Sequence, residues 1–300
     1  MAQPLVSILI PVYNREVLVC RAIDSALAQT YKNIELIVCD NASTDHTWDV
    51  LQEYEQKDKR IRIFRNESNV GPVRNWAECL KHANGKYAKF LWSDDEILPS
   101  FVEIMVNAME NNPSCGFAYS CVDIKCESKI YPRCYTLSNT GYHNSQNYVE
   151  GASLERYNIP RSPGCALFYL DTLRKHLMID IPNNEMLDFS RYGAGNDQLL
   201  FLCACEDYSE MYYYNESLSI FYGGADSISI QNPLDRYYML AIFYFMAHTK
   251  SYKKVRNAFY KSKLYNNDYY VLVPHYKMRR CYYGLRKSIK RKLIEWHIIK

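Results

Sequence analysis

The first hundred residues alternate short apolar runs with stripes of helical spacing, and this alternation leaves few folds open to the chain. Leu5 to Val12 is a continuous apolar run, the pattern of a strand covered on both faces. Pro11 to Arg15 ends it in loop chemistry, after which Val19, Ala22, Ile23, Ala26 and Leu27 share one helical face. Ile34 to Cys39 reads as a second strand, followed by the polar stretch Asp40 to Asp45 and a helix through Trp48, Leu51 and Tyr54 that Ser43 or Thr44 can cap. A third strand, Ile61 to Phe64, leads through Asn66 to Pro72 into a helix carrying Val73, Trp76, Ala77 and Leu80. A fourth apolar run, GKYAKFLWSDDE from Gly85 to Glu96, ends in three acids and is followed by another helix-like segment. Short connections between alternating strands and helices predict an α/β fold with a mostly parallel, Rossmann-like sheet and right-handed crossovers. Polar residues then gather along one edge, where open sheets of this kind bind ligands.

Those residues suit a nucleotide. Tyr13 offers a flat ring on which a base can stack, and Asp40 an acceptor for the imide N–H of uracil or thymine. Arg74 supplies a positive fork for phosphate. Asp94 and Asp95 offer hard oxygen ligands, which suit Mg2+ or Mn2+ and hence a phosphate-bearing substrate. Plainer readings stand beside each of these. Tyr13 is one of 28 tyrosines, Asp40 with Asn41 can form an Asx turn, Arg74 can be a solvated helix residue, and acids in a helix's first turn complement its dipole.

The segments SILIPVYNR, ELIVCDNASTD, NVGPVRNWAECLKHANGKYAKFLWSDD and GNDQLLF resemble, in order, the motifs of family 2 glycosyltransferases with the GT-A fold. The resemblance covers residues 5 to about 229 and is most specific over the first hundred. It implies a nucleotide-diphospho-sugar lying across the strand ends and a divalent metal, Mn2+ or Mg2+, on its diphosphate. It places Pro11, Tyr13 and Asp40 at the base, Asn69 and Arg74 on the nucleotide side, Ser93 and Asp94 with the nucleotide-sugar, and Asp95 on the metal. Two positions depart from the pattern: Cys39 stands for the first of two acids after the second strand, and Trp92 for the leading acid of the metal motif. A histidine that many members use toward the metal is absent from Phe221 to Ser229, where Asp226 is near enough in sequence to compensate.

Beyond residue 112 the pattern thins. Cys115 to Lys125 and Gly164 to Leu170 read as strands and Asp171 to Leu177 as a helix, while residues 127 to 163 read as a long acceptor-side loop. Gly193-Ala194-Gly195 opens a helix at Asn196-Asp197. The resemblance gives Asp197 the role of general base; as a plain N-cap it would also make sense. The implied reaction is inverting transfer of one sugar, since the Gln-x-x-Arg-Trp signature of processive synthases is missing. The acceptor would be a glycan or a lipid-linked sugar, in bacterial surface-glycan assembly.

The chain thus divides into a catalytic region of residues 1–230, with halves at 1–112 and 113–230, and a helical, tyrosine-rich, basic region of 231–300. Residues 250–300 hold 15 lysines and arginines against two acids, Asp268 and Glu295, so an acidic body carries a basic tail. From Met278, apolar residues at three- and four-residue spacing alternate with bases, which predicts an amphipathic helix on an anionic membrane surface through residues 274–300. A docked terminal helix is the plainer alternative. The 11 cysteines include no CxxC pair, and the N-terminus lacks a charged leader, so a cytoplasmic, reducing setting is expected. A sugar nucleotidyltransferase would need a glycine-rich phosphate loop near the first strand, where this chain has PVYNR. A nucleic-acid-binding protein using the basic tail would leave the ordered acids of the body unexplained, and nucleic acid is not an expected partner.

Overall fold

In a computed structural model, described for residues 3–127, 129–183, 185–224, 227 and 231–265, the alternation seen in the sequence becomes one ten-stranded sheet between two layers of helices. Strands β1 (Val6–Val12), β2 (Ile34–Asp40), β3 (Ile61–Arg65) and β4 (Tyr87–Phe90) are joined by α1 (Leu18–Leu27), α2 (Thr47–Lys57) and α3 (Pro72–His82). All three pairings among these strands are parallel, with Val6 to Val12 opposite Ile34 to Asp40. β1 and β2 are buried throughout, as unbroken apolar runs require. The period of two along β1 sends Val6, Ile8 and Ile10 into a core beneath α1, and Leu9 into the core on the other face with α3.

After β4 come a short β5 (Glu96–Ile97), α4 (Phe101–Asn111), the long β6 (Cys115–Cys126), β7 (Lys129–Cys134), β8 (Gly141–Asn144) and α5 (Ser145–Leu154). Then follow β9 (Ala166–Tyr169), α6 (Leu170–His176), α7 (Asn196–Asp207), β10 (Glu210–Gly223), α8 (Asp235–His248) and α9 (Lys253–Tyr265). The sheet order is β3-β2-β1-β4-β9-β6-β10-β5, with β7 beside β6 and β8 beside β10. β9 runs antiparallel to both β4 and β6, whereas β6 and β10 are parallel.

Three expectations change. The segment 127–163 is not one loop: it contains β7, β8 and α5. Its polar composition reflects an exposed edge, since β7 has hardly a buried residue and is held by backbone pairing to β6. The acids at 94–96 do not open a helix; the chain forms β5 first and α4 begins at Phe101. Neither Ser43 nor Thr44 caps α2; Asp45 instead accepts from the Thr47 backbone N–H at 3.0 Å. Helices after residue 230 also continue the core, for Phe243, Met246, Val255 and Phe259 pack in one cluster with Phe201 and Tyr148. The amphipathic segment 274–300 lies outside the described residues, as do Asp226 and Ser229.

Candidate functional site

The strand ends form a cleft of about 880 Å³. Its floor on one side is the loop after β1, tied to the loop after β2: Asn14 N–H donates to Ser43 Oγ at 2.9 Å, and Thr44 N–H donates to Asn14 Oδ1 at 2.9 Å. Asn14 itself holds φ 51°, a left-handed conformation that asparagine tolerates better than most side chains. Beside it, Asn41 knits in the next loop, donating to Asn69 Oδ1 at 2.9 Å and accepting from Val70 N–H at 3.0 Å.

Of the residues singled out in the sequence, Pro11, Tyr13, Asn69, Ser93, Asp94, Asp95 and Asp197 all line this cleft. Tyr13 is 41% exposed, with its ring available to a stacking partner. Two do not line it. Asp40 is fully buried: its carboxylate accepts from Ser43 N–H at 3.1 Å and from the Ser43 hydroxyl, and it pairs with Arg65 Nε at 3.1 Å. The Asx-type turn is what the structure shows, and Asn41, the next residue, faces the cleft in its place. Arg74 lies on the exposed face of α3 and donates to Ser190 Oγ at 2.9 Å.

Asp94 and Asp95 follow β4 in a tight turn, with Asp95 N–H donating to Trp92 O at 3.0 Å. Asp95 Oδ1 accepts from Tyr222 N–H at 2.9 Å. Burial, and then the neighbouring Asp94 charge, push the Asp95 carboxyl well above its ordinary range. A divalent cation fits this pair, because it would offset both effects with hard oxygen ligands. Among the described residues no three His, Cys, Asp or Glu side chains gather closely enough to enclose a metal.

Asp197 lines the same cleft at the start of α7. Gly193 and Gly195 precede it with φ of 73° and 87°, which glycine adopts without penalty. A Cβ on Gly193 would overlap the Trp76 indole, so this turn packs against α3 as closely as backbone allows. Asp197 Oδ1 accepts from Gly195 N–H at 2.9 Å and Gln198 N–H at 2.7 Å, and Oδ2 accepts from the Tyr238 hydroxyl at 3.0 Å. Burial outweighs these donors and raises the Asp197 carboxyl to about 7, where a carboxylate can take and release a proton near neutrality.

Sequence reasoning missed Asn41, Trp92, Arg161 and Tyr238, which line the same cleft. Trp92, where an acid was expected, packs tilted against Trp76 at 5.0 Å between ring centroids and donates from Nε1 to Ser162 Oγ at 2.8 Å. Beneath it, Lys89 is wholly buried, with its ammonium on Gly164 O, and burial lowers it to about 7. The apolar run YAKFLW was a sign of such burial. Arg161 and Tyr238 lie in stretches without a sequence signal of their own.

The fold is that of a GT-A-type α/β protein. The model for glycosyl transferase family 2 matches residues 7–177, more than half of the chain, and the chain belongs to that family. It is 42% identical over 116 residues to the Escherichia coli protein named UDP-Glc:alpha-D-GlcNAc-diphosphoundecaprenol beta-1,3-glucosyltransferase WfaP, covering 39% of this chain and 45% of that one. It is 36% identical over 118 residues to a putative teichuronic acid biosynthesis glycosyltransferase, TuaG, of Bacillus subtilis, covering 39% and 46%. The matches span less than half the length of these relatives. Residues 1–349 of Staphylococcus aureus TarS, solved with UDP-GlcNAc, superpose with a TM-score of 0.67 at 17% identity, over 86% of this chain and 71% of that one. Among the described residues no helix is long and apolar enough to cross a membrane.

Proposed function

We propose that the protein transfers one sugar, with inversion, from a nucleotide-diphospho-sugar to a hydroxyl of a glycan or lipid-linked acceptor. The observation that carries this reading is that Asp94, Asp95 and Asp197, far apart in sequence, line one cleft at the strand ends. A uridine donor is favoured by the relative named for UDP-Glc and by the fold neighbour that holds UDP-GlcNAc. The diphosphoundecaprenol acceptor in the former's name supports a lipid-linked acceptor here.

In the proposed reaction Tyr13 stacks on the base while Asn41 and Asn69 hold the nucleotide side. A divalent cation on Asp94 and Asp95 would neutralise charge on the leaving diphosphate. The acceptor oxygen attacks the anomeric carbon from the face opposite the diphosphate, and its proton passes to Asp197 Oδ2. The bond from that carbon to the β-phosphate oxygen breaks with its electron pair, releasing the nucleoside diphosphate and inverting the centre. Asp197 returns the proton to solvent. Incubation with a panel of nucleotide sugars in Mn2+ or Mg2+, with and without polyprenyl-diphosphate-linked acceptors, tests the reading. Failure to transfer or hydrolyse any donor would refute it. Membrane binding through residues 274–300 is part of the same proposal, and liposome flotation with and without that segment decides it.

A further inference from the structure

Gly195 has a second consequence beyond opening α7. A Cβ there would lie 2.8 Å from the Tyr237 carbonyl oxygen and 3.1 Å from Ala241 Cβ, so α8 crosses the start of α7 at backbone contact distance. This crossing brings the next residue of α8, Tyr238, to the Asp197 carboxylate, with its hydroxyl 3.0 Å from Oδ2. The ring of Tyr238 is fixed in turn, with the Arg161 guanidinium 4.8 Å above its centroid and Arg161 paired to Asp235 at 3.4 Å. α8 lies beyond the residues that the family model matches.

We propose that Tyr238 is a positioning residue for the proposed base: its hydroxyl, carried in by α8, holds Asp197 Oδ2 so that this oxygen's remaining lone pair meets the acceptor. The inference rests on the reading of Asp197 as the base. The two oxygens are held differently. Oδ1 is engaged by two backbone amides of its own turn, while Oδ2 depends on one side chain from another element. The carboxylate acts only as it is aimed, so a contact that sets its orientation governs the reacting geometry. The titratable and charged groups around Asp197 are Tyr238 and Asp235 of α8, Arg161, Tyr135, and Tyr148 of α5. Arg161 and the Tyr238 hydroxyl favour the charged carboxylate.

The test uses the full chain labelled with 13C at the aspartate carboxyls, as wild type, Tyr238→Phe and Asp197→Asn, titrated by NMR from pH 5 to 9. Phenylalanine keeps the ring under Arg161, and an unchanged melting temperature checks the fold. One carboxyl should titrate near 7 in the wild type, vanish in Asp197→Asn, and move up by about one pH unit in Tyr238→Phe, because a donor to the charged form is lost. An unmoved midpoint in Tyr238→Phe overturns the proposal. Transfer assays separate it from the reading beneath it: full turnover by Asp197→Asn would refute the base, whatever the titration shows. With the base upheld, Tyr238→Phe should lose about tenfold in kcat at neutral pH, with its acid limb shifted upward and KM for the donor unchanged. Wild-type kcat and pH profile in that variant would overturn Tyr238's role.

Discussion

Tyr222 donates its backbone N–H to Asp95 Oδ1 at 2.9 Å, tying the end of β10 to a loop that precedes it by 127 residues. The Tyr222 ring is covered by the Arg21 guanidinium at 3.5 Å, and Arg21 also donates to the Asp94 carbonyl. The acidic turn is therefore gripped from both α1 and β10, and its geometry belongs to the assembled fold rather than to the local sequence.

Removal of divalent cations should expose the role of that turn. Chelation with EDTA is expected to bring sugar transfer to background and Mn2+ or Mg2+ to restore it, while Asp95→Asn stays near background at any metal concentration. Radiolabelled sugar transfer across a metal titration measures both.

Asp197→Asn is expected to lose about 10²–10⁴-fold in turnover while retaining nucleotide, the usual contribution of a positioned general base. Single-turnover transfer beside UDP binding by calorimetry distinguishes this from a binding defect.

The pH dependence has a definite sign. Burial holds the Asp197 carboxyl at about 7, so the free carboxylate is lost as pH falls through that value, and kcat should drop about tenfold per pH unit on the acid side. Initial rates from pH 5 to 8.5 at saturating substrate report it.

Stability should move the other way. An unfolded aspartate ionises near about 3.9, so between there and about 7 the folded chain keeps a proton that the unfolded chain gives up, and the resulting cost is complete above 7. Asp197→Asn should therefore be more stable than wild type at pH 8, by about 1–4 kcal/mol, with a smaller gain at pH 5. Denaturant melts at the two pH values check this.

Arg65 pairs with the buried Asp40 and also donates to Ser43 O at 2.8 Å. Arg65→Met should leave Asp40 uncompensated and cost about 1–3 kcal/mol, at the lower end because Arg65 is partly exposed. Urea unfolding measures it, and a neutral result would mean that Asp40 is held by Ser43 alone.

Much of the first half was legible because its physics is local. Unbroken apolar runs such as Leu5 to Val12 have no stable place except between two helical layers, and the polar residues after them fall where parallel strands end. The choice between Asp40 and Asn41 was not legible. Adjacent residues at a strand end point in opposite directions, and here Asp40 turns inward to Arg65 of β3 while Asn41 lines the cleft. β7 escaped notice because an edge strand paired through its backbone needs no apolar pattern. Tyr238 escaped it because its partner is 41 residues away and a glycine just before the other helix allows the close approach.

β9 has four residues, yet it fills the gap between β4 and β6 and so joins the two halves of the sheet. During synthesis β1 to β4 can pair among themselves, and β6 can form, well before Ala166 leaves the ribosome. Until then β4 carries an unpaired edge, the kind of surface on which nascent chains stick to one another. This small late strand acts as a keystone, and brisk translation or chaperone shelter between residues 90 and 169 would protect the arch while it waits.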